Sequence, residues 1–473
     1  MEGQSRRHVS AGREAPASGP EDGGAVHALL ARVVDVRPGE VRATLMAFAY
    51  FFFVLSGYFI LRPIRDTVAA ASGVSQLPWL FAGTLAAMLV CQPFFSALVV
   101  RFPVRRFIPI TYHFFIANLL VFYVVMRMSP PVRGSIGTVW VGRSFFVWTS
   151  VFNLFVVSVF WCFMADIFRS GQGKRLFGFI GVGGTLGAIA GSGMTALLAH
   201  RIGTVDLLLV SAALLECAVV MVLFFPVPES HDAIAVSAEE VNRAPIGGSV
   251  WAGFTRVASS PYLAGIAVFL ILYTIGSTIL YFEQADIVGR FYATSDARTT
   301  VLAQIDLIGQ TLTVLIQLFF TGRVIRWVGL TATLAFLPAL TMIGFGALGA
   351  MPVFATLAVF IVLRRSGNFA LTNPAMEVLF TVVSREDKYK AKSFIETFVY
   401  RGGDQIAAWT YAGLAALGLG LTGIAFAAVP MAAVWLMLGL WLGRRQAELA
   451  NENPTVMRPP AAPDAATAAG VRA

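Results

Sequence analysis

The chain has 473 residues, of which 57% are hydrophobic and 13% charged, with a net charge of +9 and a mean hydropathy of +0.74. Soluble domains carry about 25% charged residues, so the composition excludes a soluble protein and points to an all-α integral membrane protein. The basic excess fits cytoplasmic loops and tails and argues against a nucleic-acid partner. Cys91, Cys162 and Cys217 lie in apolar stretches, and the five histidines are scattered. Neither set has metal or disulfide spacing, so no metal and no cofactor is expected.

Residues 1–42 are rich in Gly, Ala, Glu and Arg and lack the apolar core of a signal peptide, so they read as a cytoplasmic N-terminal tail. A membrane helix needs about 20 apolar residues. Such stretches occur at 43–69, 78–100, 106–128, 138–166, 176–199 and 205–226. A polar linker follows at 227–261, read as cytoplasmic. Six more stretches lie at 262–288, 299–325, 330–349, 353–383, 393–418 and 421–443, and 444–473 forms a Pro/Ala-rich tail without packing capacity. The expectation is twelve transmembrane helices in two six-helix bundles, 43–226 and 262–443.

Lys and Arg set the orientation. They crowd the loops after spans 2, 4, 8 and 10, with Arg101, Arg105 and Arg106, then Arg169, Lys174 and Arg175, then Arg323 and Arg326, then Arg385, Lys388, Lys390 and Lys392. Both termini are thereby placed in the cytoplasm. The halves also echo one another. A basic loop, then Phe177 or Phe394, then Gly183-Gly184 or Gly402-Gly403, recurs 217–219 residues apart, and Arg143-Ser144 in span 4 matches Arg365-Ser366 in span 10. Parallel six-helix repeats are the plan of major facilitator transporters.

A charge at bilayer depth costs about 2.5–3.5 kcal/mol on insertion scales and marks a functional candidate. The segment "GYFILRPIRDTVAA" (57–70) puts Arg62, Arg65 and Asp66 on one helix face, beside a kink expected at Pro63. Two readings stand: a structural Arg–Asp pair, or an anion clamp whose guanidinium forks match phosphate or carboxylate. Arg364, Arg365 and Arg401 from the second half, with Asn153 and Asn373, complete the candidate binding set. Asp66, Asp166, Lys174, Arg175, Glu283, Asp286 and Asp404 are candidates for gating or coupling. Asp166 could pair with the neighbouring basic loop. Glu283 and Asp286, one turn apart, could carry a proton or pair with the arginines. Asp306 and Glu377 have no assignable role from sequence. Gly183, Gly187 and Gly191 form a G-xxx-G-xxx-G stripe suited to close helix packing. "GQGKRLFG" is not a phosphate-binding P-loop, because Arg175 stands where Ser or Thr is needed.

"YFILRPIRD" (58–66), "FWCFMADIFRSGQGKRLFGFIGVG" (160–183) and "GSTILYFE" (276–283) resemble segments of the ATP/ADP (nucleotide) transporters of obligate intracellular bacteria and plastids. In that resemblance Arg65 stands for the family's lysine before the first-span aspartate, Asp166 replaces a glutamate, and Glu283 matches the functional glutamate of span 7. Asp286 and Asp404 fall where the family has lysines, which removes two positive charges from the side that would meet a polyphosphate. "SALVVRFPVRR" (96–106) resembles a degenerate facilitator signature, with Val100 in place of its aspartate.

The resemblance implies a major facilitator fold and alternating-access transport of an anionic solute, with ATP/ADP-type exchange foremost and proton-coupled transport of another small organic solute as the alternative. It implies a monomer in a bacterial inner membrane, partnered by the lipid bilayer and a small anionic substrate. An enzyme is not expected, since neither a nucleophile–base pair nor a metal cluster is present.

Overall fold

The computed structural model describes residues 36–101, 104–128, 139–168, 170–226, 255, 257–383, 391–392 and 394–452; some side chains within these ranges, Asp166 and Lys174 among them, fall outside the description. The expected tails up to 35 and from 453, and the linker from 227 to 254, also lie outside it.

The described residues form helices throughout. In chain order they are α1 (Val41–Ser72), α2 (Leu77–Arg101), α3 (Val104–Met128), α4 (Val139–Ile167), α5 (Ser170–Ile202), α6 (Leu207–Leu223), α7 (Pro261–Phe291), α8 (Ser295–Phe319), α9 (Thr321–Ala350), α10 (Phe354–Gly367), α11 (Asn373–Leu379), α12 (Tyr400–Ala416) and α13 (Leu421–Glu452). A π turn at Asn368–Thr372 joins α10 to α11, and a second at Ile395–Val399 leads into α12. Among the described residues ten helical spans are long and apolar enough to cross a membrane, with α10 and α11 forming one of them. α6 is apolar but has 17 residues, and α12 likewise has 17 after its π turn.

Local sequence explains the boundaries. Gly329 adopts φ +84°, open to glycine and strained for other residues, and kinks α9 between a short first segment, 321–328, and the apolar run that follows. α1 continues through Pro63 without a break in its helical assignment. α13 runs on to Glu452, so residues 444–452, placed in the tail from sequence, are helical.

α1 packs most extensively on α5, and the reason is the glycine stripe. A Cβ on Gly183 would lie 2.5 Å from the Phe48 carbonyl oxygen, and one on Gly187 or Gly191 would lie 2.3 Å from the carbonyl oxygens of Phe52 and Ser56. Only hydrogen at these positions lets the two backbones meet. The Ser56 hydroxyl uses the approach to donate to the Gly187 carbonyl at 3.1 Å. Helices α1–α6 pack among themselves, as do α7–α13, and the two groups meet where α5 touches α8, α2 touches α12, and α1 touches both α7 and α8.

The groups close on each other at the end carrying the α1–α2 and α7–α8 turns. The Thr67 and Thr299 hydroxyls are 2.8 Å apart, and the Thr204 backbone N–H and hydroxyl donate to Asp296 at 2.9 and 2.6 Å. Gly289 passes so close to Ala70 that a Cβ would sit 3.0 Å from its carbonyl oxygen.

Candidate functional site

Five intramembrane charges, Arg62, Arg65, Asp66, Asp306 and Arg365, converge where α1 meets α7, α8 and α10. Arg65 donates from Nε and Nη2 to Asp66 Oδ1 at 3.0 and 2.8 Å, and the Tyr281 hydroxyl of α7 donates to the same oxygen at 2.9 Å. The Arg65 guanidinium also lies 5.4 Å from the centroid of the Phe146 ring. Arg62 takes a different partner. Its Nε is 3.6 Å from Oδ2 of the buried Asp306 on α8, whose Oδ1 accepts from Arg365 Nη1 on α10. One carboxylate thus lies between guanidinium groups from both halves.

Arg364, adjacent to Arg365, serves its own half. It is buried, and it donates to the Thr341 hydroxyl at 3.1 Å, the Ser277 hydroxyl at 2.9 Å and the Tyr273 carbonyl at 3.1 Å, tying α7, α9 and α10 together. Arg401 and Asp404 face each other on α12 at 3.7 Å, and Asp404 accepts from the Thr278 hydroxyl at 3.3 Å. Between the halves Arg62, Arg65 and Arg365 stand against Asp66 and Asp306, an excess of one positive charge. In a low-dielectric interior such an excess attracts an anion.

A cavity of about 290 Å³ opens beside this cluster, between α2, α4, α7 and α12. Arg65, Asn153, Arg401 and Asp404 line it, joined by Ser150, Tyr281, Tyr400 and Gln405. Apolar Phe81, Leu85 and Met88 complete the wall. Such a mixture suits a ligand held by few polar groups on an apolar surface. Arg62, Arg364 and Arg365 are outside the lining, and Asn373 is exposed at the start of α11.

The coupling candidates separate. Glu283 is fully buried behind the cavity wall, with Oε1 3.4 Å from the Tyr411 hydroxyl and no hydrogen-bond partner for Oε2 among the described residues. Asp286 pairs with Arg290 on its own helix at 2.6 Å. Arg175 grips Glu40 at 3.0 Å, fastening the start of α5 to the start of α1. The side chains of Asp166 and Lys174 lie outside the described residues.

Sequence reasoning left Asp306 unassigned and passed over Tyr281 and Gln405. A signal existed for two of them: Asp306 is a carboxylate inside an apolar span, and Tyr281 lies within the quoted "GSTILYFE" segment. Glu377, also unassigned, pairs with Lys392 at an exposed position, 2.7 Å apart.

The chain is 24% identical over 476 aligned positions to ADP,ATP carrier protein 1 of Chlamydia pneumoniae, covering 85% of this chain and 90% of that protein. Its fold matches the nucleoside transporter NupG (TM-score 0.54, 13% identity, 87% of this chain and 99% of that one). It also matches a POT family peptide transporter (0.57, 13%, 86% and 97%) and the inward-open xylose transporter XylE from E. coli (0.55, 13%, 86% and 95%). This is a multi-pass membrane transporter. No protein-family profile matches the chain. The transporter aligns with a carrier along most of its length, and its fold is shared with the three solved transporters.

Proposed function

We propose that this transporter exchanges nucleotides of the ATP/ADP type across a bacterial inner membrane. The excess of arginine over aspartate between the halves carries this reading, because it leaves positive charge for a substrate anion at the level where alternating-access carriers bind. The alignment with an ADP,ATP carrier over most of both chains supplies the substrate class. The protein works as a monomer with twelve spans, its bundles being 43–226 and 262–443, and both termini cytoplasmic.

In this reading Arg65, Arg401 and Asn153 meet the substrate in the cavity. Arg62 and Arg365 are held by Asp306 until substrate phosphates compete for them, and Arg364 positions α10. The closed end with Thr67, Thr299 and Asp296 faces the periplasm in this reading. Rocking of the halves would open that end, with Asp166, Lys174 and Arg175 acting at the opposite one.

The test is uptake of labelled ATP into proteoliposomes preloaded with ADP. Wild-type protein is expected to show counterflow that Arg62→Ala and Arg65→Ala abolish. Absence of counterflow from folded wild-type protein would reject nucleotides and direct the search to smaller organic anions.

A further inference from the structure

Arg143 belongs to none of the clusters above. It sits one turn into α4, its Nη2 donates to Gln76 at 2.9 Å, and its guanidinium lies 5.0 Å from the centroid of the Trp140 ring. Among the described residues no carboxylate pairs with it, and its Nε has no hydrogen-bond partner. Near the end of a membrane helix an arginine reaches the headgroup level, where an anion can meet it.

Arg143 stands at one end of a cavity of about 1190 Å³ between α2, α3 and α4, where α2 and α3 barely touch among the described residues. The polarity of this cavity is graded. Gln76, Trp140 and Arg143 mark one end, while Cys91, Phe107 and Phe155 mark the other. From Arg143 to Phe155 is about 18 Å along a helix, more than half of a bilayer core about 30 Å thick. Trp79 and Trp140 are largely exposed at the polar end, as tryptophans are at a membrane–water boundary. Ile110 and Phe114 on the α3 wall are also exposed, so the cavity opens sideways on the outer face of the bundle. Within it Thr111 is buried, and among the described residues neither its hydroxyl nor the Trp148 indole N–H has a partner.

The geometry points to a binding site for an anionic phospholipid, its phosphate on Arg143 and an acyl chain running past Trp148 toward Phe155. The lipid comes from the leaflet that meets the α1–α2 turn. Charge complementarity selects an anionic headgroup, and the length and graded polarity select a chain-bearing molecule over a free anion. The site is separate from the solute cavity and does not depend on what the transporter carries.

The test reconstitutes full-length protein in phosphatidylcholine vesicles with a rising fraction of phosphatidylglycerol bearing brominated acyl chains. Trp148 emission is isolated as the difference between wild type and Trp148→Phe. Saturable quenching is expected, and Arg143→Gln should raise the half-saturating lipid fraction about tenfold, the worth of one charge-assisted hydrogen bond. Arg143→Lys should raise it less. Equal half-saturation in wild type and Arg143→Gln, or equal quenching by brominated phosphatidylcholine, would overturn the assignment. Release of the quenching by millimolar inorganic phosphate would assign Arg143 to a free anion and overturn it as well. Should Arg143→Gln not fold, Gly83→Phe fills the cavity with Arg143 intact; saturable quenching must then disappear, and its persistence refutes the site.

Discussion

Asp306 of α8 receives Arg62 from one half of the transporter and Arg365 from the other, 3.6 Å from Arg62 Nε and hydrogen-bonded by Arg365. All three side chains are at least four-fifths buried. Removing one member of a buried ionic group leaves the others uncompensated.

Asp306→Asn should therefore destabilise the protein by about 3 kcal/mol. The measurement is denaturation of purified protein, with a double-mutant cycle on Arg62→Gln. Because the two residues share one interaction, their effects should fall short of additive; strict additivity would mean that the 3.6 Å approach carries no coupling.

Tyr281→Phe removes the hydroxyl that bridges α7 to Asp66 on α1. A hydrogen bond to a charged group is worth about 1.5–3 kcal/mol, and the aromatic ring is retained. The expected result is a loss of that size in stability together with slower counterflow, since Tyr281 also lines the solute cavity. Unchanged stability would show that Arg65 alone satisfies Asp66.

Gly187→Ala puts a methyl group 2.3 Å from the Phe52 carbonyl oxygen, which belongs to backbone and cannot swing aside. α1 and α5 must separate, at a cost of about 1–3 kcal/mol. Gly181, with nothing near its Cβ position among the described residues, is the control: Gly181→Ala should be neutral or slightly stabilising, because alanine is the better helix former. Thermal unfolding of the two variants side by side distinguishes them.

Glu40, just before α1, gives a pH dependence. Burial opposes its charge, but the Arg37 backbone N–H, Gln172 and Arg175 outweigh this and hold its carboxyl below the ordinary value of 4.5. The unfolded chain then takes up the proton at a higher pH than the folded one. The stabilisation is complete above about 4.5 and disappears as pH falls through the folded value. Glu40→Gln should lower stability at neutral pH and flatten this acid limb; an acid limb identical to wild type would show that Glu40 does not contribute to it.

The membrane class, the helical spans and the transporter resemblance were legible because each depends on short-range pattern. Apolar runs near 20 residues, basic loops between them and the segment from Tyr58 to Asp66 can be read without knowing what packs against what. The glycine stripe of α5 was legible for the same reason, since a four-residue repeat puts Gly183, Gly187 and Gly191 on one face whatever the partner.

Pairing within one helix was partly legible, since Arg401 and Asp404 lie three residues apart and meet at 3.7 Å; pairing between helices was not. Sequence spacing placed Asp66 with Arg62 at i,i+4, yet Asp66 accepts from the adjacent Arg65 and from Tyr281, 215 residues away, while Arg62 turns to Asp306. Arg364 and Arg365 look equivalent in the chain. Successive helix residues diverge in direction, so one reaches the charge cluster between the halves and the other is absorbed by Thr341, Ser277 and the Tyr273 carbonyl. The sequence by itself determined which residues enter the membrane carrying charge, because hydropathy is a property of each segment. Only the tertiary structure decided which charges neutralise one another and which face a cavity, because those distances depend on helices brought together from distant parts of the chain.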